Sequence, residues 1–169
     1  MPSLADLNRA DRAAFVAALG HIFEHSPWVA EETWGKRPFA KAERLHSELC
    51  ATMHAAPPEK QLALIRAHPD LAGRLAQQRK LTAESTREQV GAGLDQLSGA
   101  ELAEFTQLND TYKAKFGFPF IICARQNAKA AILAAMKIRL LNSPAAEHTA
   151  ALAEIDKIAW LRLQDTLQT

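Results

Sequence analysis

The chain has 169 residues, 48% hydrophobic and 23% charged, which is the composition of a soluble globular protein and the length of one domain able to bury roughly 70% of its extended-chain surface. Its 20 Lys and Arg against 19 Asp and Glu leave a formal net charge of +1, so no general electrostatic pull toward nucleic acid or an anionic membrane is expected. Cys50 and Cys123 are the only cysteines and have no CxxC spacing, so neither a disulfide framework nor a thiolate zinc site is indicated.

The chain opens on Met1-Pro2-Ser3-Leu4-Ala5-Asp6, without the basic and apolar regions of a signal peptide. No apolar run reaches the length of a membrane span, and a cytoplasmic location is expected. Phe15, Leu19, Ile22 and Phe23 share one face of a helix. Glu43 to Met53 carries Leu45, Leu49 and Met53 on a second such face. Pro57-Pro58 breaks the chain, and Pro58 suits the first turn of a helix through Leu62 and Ile65. A short helix is expected from Leu71 to about Arg79. Ser98-Gly99-Ala100-Glu101 has the pattern of a capping box. It opens a long helix with Leu102, Phe105, Leu108 and Tyr112 inward, ended by Gly117.

Asn127 to Leu141 is alanine-rich and strongly helical, and Ser143-Pro144 pairs a cap with a proline at the first helical position. The last helix carries Leu152, Ile155, Ala159 and Leu163 on one stripe. The one β-like run is Phe118-Pro119-Phe120-Ile121-Ile122-Cys123, and its proline argues against a central strand. No repeat or linker interrupts the pattern. The expected fold is all-α, a compact single-domain bundle of about seven or eight helices over residues 1–169.

Three segments can carry chemistry. In Ala67-His68-Pro69-Asp70-Leu71, Pro69 disfavours the helical region for His68 and fixes its own φ near −65°. The imidazole is thus held at a helix boundary, where it can face a cleft or lie in a solvated loop. Histidine is the side chain whose ordinary pKa lies closest to neutrality. In Ser85-Thr86-Arg87-Glu88-Gln89, Ser85 and Glu88 fit a capping box. The same helix start can also offer backbone N–H groups to a polar ligand while Glu88 orients His68. The two readings agree for Ser85 and compete for Glu88. Phe116 to Arg125 is a Gly/Pro-punctuated apolar stretch. It reads either as a buried connector or as a backbone edge that hydrogen-bonds a flat, amide-rich ligand.

Metal and nucleotide chemistry find less support. His21 and His25 are four residues apart, but the segment is His-Ile-Phe-Glu-His rather than HExxH. His46, His54 and His148 stand singly among polar residues and read as surface. There is no GxSxG, Walker loop or GxGxxG.

Taken in order, Phe23-Glu24-His25-Ser26-Pro27-Trp28, Ala67-His68-Pro69-Asp70-Leu71, Ser85-Thr86-Arg87-Glu88-Gln89 with Gly93-Leu94, and Lys115 to Ala124 resemble the 2-oxo-4-hydroxy-4-carboxy-5-ureidoimidazoline (OHCU) decarboxylases of urate degradation. The resemblance spans about residues 15 to 165. It implies an all-helical homodimer that decarboxylates OHCU to (S)-allantoin without cofactor or metal. It implies that His68 is catalytic, with Glu88 and Arg162 in support. Substrate contacts would fall on Pro69, on Ser85, Thr86, Arg87, Glu88 and Gln89, and on Phe120, Ile121, Ile122, Cys123 and Ala124. Arg162 is matched by its position within Ile158 to Leu163 rather than by a distinctive motif.

That chemistry suits these residue types. The substrate's own C=N bond can accept the electron pair released with CO2, so no external electron sink is required. A histidine suits the proton step, and a carboxylate partner would fix its tautomer. An arginine helps most where negative charge develops on the ring. A non-catalytic helical module that binds a purine-like or ureide ligand or a protein partner is the other class. An aldolase-like or hydrolytic use of the same histidine is a third.

Overall fold

Helical periodicity, caps and prolines divide the chain much as expected. The computed structural model describes residues 1–73 and 80–168. Among the described residues there are nine α-helices, two 3₁₀ turns and no strand. The backbone contacts group into two compact units, Met1–Ala67 with Ile155–Thr169, and His68–Glu154.

In the first unit, α1 (Leu4–Arg9) starts on a Ser3/Asp6 capping box and α2 (Arg12–Leu19) on Asp11, whose Oδ1 accepts from the Ala14 N–H at 2.8 Å. Phe15 and Leu19 are buried on α2, as expected. Ile22 and Phe23 are buried too, but lie beyond the helix end. The chain turns at Gly20, where a Cβ would meet the Val16 carbonyl at 2.7 Å and Pro27 Cβ at 3.2 Å. Then α3 (Trp28–Thr33) packs on α4 (Ala42–Ala55), whose Leu45, Leu49 and Met53 form its buried face. Pro58 opens α5 (Pro58–Ala67) at the position that needs no N–H. Its buried residues are Gln61, Leu64 and Ile65, while Leu62 is half-buried.

In the second unit, α6 (Ala83–Gly91) is followed by α7 (Gly99–Phe116). The Ser98/Glu101 capping box is present, and Gly117 stops α7 with φ 75°. Left-handed backbone of that kind is cheap only for glycine. Phe105 and Tyr112 point inward, joined by Asn109, whereas Leu102 and Leu108 are half-buried. Next come α8 (Lys129–Arg139) and α9 (Pro144–Thr166). The Ser143 hydroxyl accepts from Ala146 N–H at the start of α9. Leu152, Ile155, Ala159 and Leu163 are buried along it. Of the short helix expected from Leu71 to Arg79, Leu71 and Ala72 form a turn, and residues 74–79 lie outside the described residues.

Candidate active site

The apolar residues of α5 end at the Pro69 break, and there the second unit begins. His68 is 8% exposed, so it is a buried group and the solvated-loop reading falls. Pro69 and Asp70 are half-buried. The turn that follows is fastened from two helices. From α6, Gln89 Nε2 donates to the Asp70 carbonyl at 3.2 Å, and Gln89 Oε1 accepts from the Ala72 N–H at 2.9 Å. From α7, Asn109 Nδ2 donates to the Leu71 carbonyl at 2.9 Å, and Lys113 Nζ lies 2.5 Å from Asp70 Oδ2. Ala72 has φ 51°, a left-handed conformation that costs an alanine roughly 1–2 kcal/mol.

The expected cap on Ser85 is corrected. The helix begins three residues earlier, and the Thr82 hydroxyl accepts from the Ser85 N–H at 3.2 Å. Ser85 is thus inside the first turn, and Glu88 is not the distal carboxylate of a capping box. The competing claim on Glu88 disappears. Ser85 and Gln89 are buried and Glu88 is half-buried. Thr86 and Arg87 are exposed, with Arg87 Nη2 3.6 Å from Glu84 Oε1. This helix packs against the 3₁₀ turn Ala124–Gln126. It therefore touches both the His68 turn and the end of the Phe120–Ala124 segment.

That third segment is extended rather than a strand, and all of Phe120, Ile121, Ile122, Cys123 and Ala124 are buried. Phe116, Phe118 and Phe120 gather around Tyr112, with Tyr112–Phe120 ring centroids 5.3 Å apart. Arg139 holds the segment from α8. Its Nη1 donates to the Ile121 carbonyl at 2.7 Å, its guanidinium carbon lies 4.3 Å from the Phe120 ring centroid, and its Nη2 pairs with buried Glu147 at 2.9 Å. Glu147 also accepts from Tyr112 Oη and from Asn142 Nδ2. Burial alone would push the Glu147 carboxyl up, but the donors from Arg139, Tyr112 and Asn142 outweigh it and hold it below the usual range. Burial and the adjacent Glu147 push the Tyr112 hydroxyl far up, so it stays a donor.

Part of the expected backbone edge is engaged internally. The Cys123 N–H donates to Glu154 Oε2 at 2.8 Å, and its carbonyl accepts from Asn127 Nδ2. Among the described residues, the N–H and C=O of Ile122 have no hydrogen-bond partner. The aromatics of the segment are core, as a buried connector requires, and the Ile122 N–H and C=O keep open hydrogen-bonding capacity.

Arg162 belongs to the first unit. It is 3% exposed, and its Nη1 donates to Glu24 Oε2 at 2.9 Å and faces the Ile22 carbonyl at 3.4 Å. Glu24 was not singled out as a site residue from sequence. Its signal in the sequence is its place in Phe23-Glu24-His25-Ser26-Pro27-Trp28, one of the segments that carry the resemblance, but its partner is 138 residues away. Of the three histidines expected at the surface, His54 is exposed, with Nε2 2.8 Å from Asp156 Oδ2. His46 and His148 are half-buried instead, and His46 Nε2 lies 2.8 Å from the Asp156 carbonyl and 3.2 Å from Cys50 Sγ. Burial first, then the Asp156 charge, pushes the Cys50 thiol far up, so it is an inert thiol. No group of three or more His, Cys, Asp or Glu suited to a metal ion occurs among the described residues. A cleft of about 570 Å³ lies among Gly93, Gln96, Arg125, Asn127 and Lys129, beside the end of the Phe116–Arg125 segment.

A family model described as OHCU decarboxylase matches residues 8–164. The 2-oxo-4-hydroxy-4-carboxy-5-ureidoimidazoline decarboxylase of Halalkalicoccus jeotgali is 44% identical over 163 residues, 96% of this chain and 90% of that protein. A crystal structure of (S)-allantoin synthase superposes with TM-score 0.78 and 30% identity, covering 100% of this chain, which spans 55% of that one. A crystal structure of OHCU decarboxylase in the presence of (S)-allantoin gives TM-score 0.70 and 25% identity, over 92% of this chain and 97% of that chain. With the family model matching residues 8–164 and a named relative 44% identical across 96% of this chain, the chain belongs to the OHCU decarboxylase family.

Proposed function

We propose that this protein is a carboxy-lyase that converts OHCU to (S)-allantoin and CO2 in urate degradation, with no cofactor and with His68 as general acid/base. The observation that carries the reading is the 44% identity to a named OHCU decarboxylase across 96% of the chain. The carboxylate of the substrate leaves as CO2, and the bonding pair passes into the adjacent C=N, giving an enediol-like intermediate. Protonation of one face of that intermediate yields the (S) product. Buried His68 handles the proton. Glu88 orients it, and Arg162 stabilises charge that develops on the ring rather than gripping the departing carboxylate, which would favour the ground state. Substrate contacts come from Pro69, from Ser85 through Gln89, and from Phe120 through Ala124. The open N–H and C=O of Ile122 suit an amide-rich ring.

The 169 residues act as one functional domain, in the cytoplasm, as a homodimer with neither nucleic acid nor membrane as partner. No helix among the described residues is long and apolar enough to cross a membrane. Freshly generated OHCU tests the activity. Protein should accelerate CO2 release and yield optically active allantoin, and racemic product at the background rate would instead leave a non-catalytic binding module. Sedimentation at micromolar concentration tests the dimer, and a monomer alone would remove it.

A further inference from the structure

We propose that Asn109 is a positioning residue for His68, acting through the turn that follows Pro69. The inference rests on the catalytic reading of His68 above. Pro69 gives the residue after His68 one fixed torsion, so the imidazole's place depends on what anchors residues 70–72. Each of the three is anchored by a side chain: Asp70 by Gln89 and Lys113, Leu71 by Asn109, and Ala72 by Gln89. Asn109 and Gln89 are 3% and 5% exposed, so water competes little for the bonds these two side chains make.

Three features mark the turn as held rather than relaxed. Ala72 has φ 51°, which persists only where the surroundings over-determine it. Gly73 follows so tightly that a Cβ there would lie 2.5 Å from Asp70 Cβ. Asn109 Oδ1 is buried with no hydrogen-bond partner. Rotating the carboxamide would satisfy neither end, because the Leu71 carbonyl needs a donor and would then face an oxygen. The carboxamide is thus fixed in one orientation by the turn, at the cost of an orphaned acceptor. A residue chosen only for packing would be apolar at this site, since leaving a buried acceptor unmade is unfavourable. The donor to Leu71 is what an apolar residue cannot supply.

The test compares Asn109→Leu with wild type and with His68→Asn, using fresh OHCU. Asn109→Leu is close in shape and trades the orphaned Asn109 oxygen for an orphaned Leu71 carbonyl, so Tm should move by no more than about 4 °C. Its kcat should fall by about 10- to 100-fold, the scale of a misplaced reacting group, with KM little changed. Asn109→Asp supplies a second readout. Burial raises such a carboxyl, and only its protonated form can donate to the Leu71 carbonyl. Its kcat relative to wild type should therefore climb as pH is lowered from about 8 to about 5.5. A folded Asn109→Leu with wild-type kcat overturns the proposal. If that variant does not fold, a flat Asn109→Asp ratio across pH overturns it instead. Loss of kcat in His68→Asn alongside an unchanged Asn109→Leu removes the clamp alone, whereas wild-type kcat in His68→Asn removes the catalytic role of His68 and the clamp with it.

Discussion

Arg162 and Glu24, 138 residues apart, form an ion pair of 2.9 Å with both side chains almost completely buried, 3% and 2% exposed. Burying either charge without the other is strongly unfavourable. The turn that presents Glu24 is specified locally: His25 takes φ 46°, and the Ser26 hydroxyl donates to the Glu24 carbonyl at 3.0 Å. Glu24→Ala should cost about 3–5 kcal/mol, because it removes the carboxylate that pairs with a buried guanidinium. Glu24→Gln, which keeps an acceptor of the same shape, should cost less. Urea unfolding of both variants measures this, and a Glu24→Ala protein within 1 kcal/mol of wild type would show that Arg162 finds compensation elsewhere.

The same pairing shapes how Arg162 must be tested. Arg162→Ala removes the guanidinium paired with the buried Glu24 carboxylate, so it lowers stability as well as any catalytic contribution. Arg162→Lys keeps the charge but not the planar fork. If Arg162 stabilises charge developing on the ring, Arg162→Lys should lower kcat with KM nearly constant. A rise in KM with kcat intact would assign it to ground-state binding.

His68→Asn should fold, bind ligand with near-wild-type affinity and lose about 10²–10⁴ in kcat, the usual scale for a missing general acid/base. Glu88→Gln should lose less, because the imidazole remains but is less well oriented. Thr82 caps α6, so Glu88→Gln should leave Tm nearly unchanged. A large Tm drop in Glu88→Gln would mean that its carboxylate is structural after all. Wild-type kcat in a folded His68→Asn would refute the catalytic assignment.

Glu147 sets an acid limit on stability. Its carboxyl titrates below the usual range in the folded chain because Arg139, Tyr112 and Asn142 together outweigh the burial penalty. A depressed carboxyl contributes stability that is fully present above its unfolded pKa, about 4.3, and lost as pH falls through the lower folded value. Glu147→Gln should therefore be markedly less stable than wild type at pH 7, and the gap should narrow below about pH 4 as the wild-type group protonates. Because Arg139 also holds the Ile121 carbonyl, activity should fall with stability in this variant. A gap that is constant from pH 7 to pH 3 would show that the charge of Glu147 is not what stabilises the network.

Local physics made most helices legible. The Ser98-to-Glu101 box, the Gly117 stop, Pro58 at a first turn and Ser143-Pro144 each act over three or four residues, so the sequence by itself determined them. So did the stripes on α4 and α9, since helical period and burial agree there. The motifs around His68, Ser85–Gln89 and Phe120–Ala124, together with their resemblance to a family, already implied the reaction.

What only tertiary structure decided was partnership over distance. Ile22 and Phe23 fit the period of α2 yet pack beyond its end, because the chain must turn at Gly20. Thr82 rather than Ser85 caps α6, because the helix starts at Ala83 and leaves Ser85 inside its first turn. Glu24 with Arg162, Asn109 with Leu71, and Arg139 with the Ile121 carbonyl join residues 18 to 138 apart. No periodicity or cap carries that information. It arises where folding removes water from charged and polar groups and obliges each to find its partner in the chain.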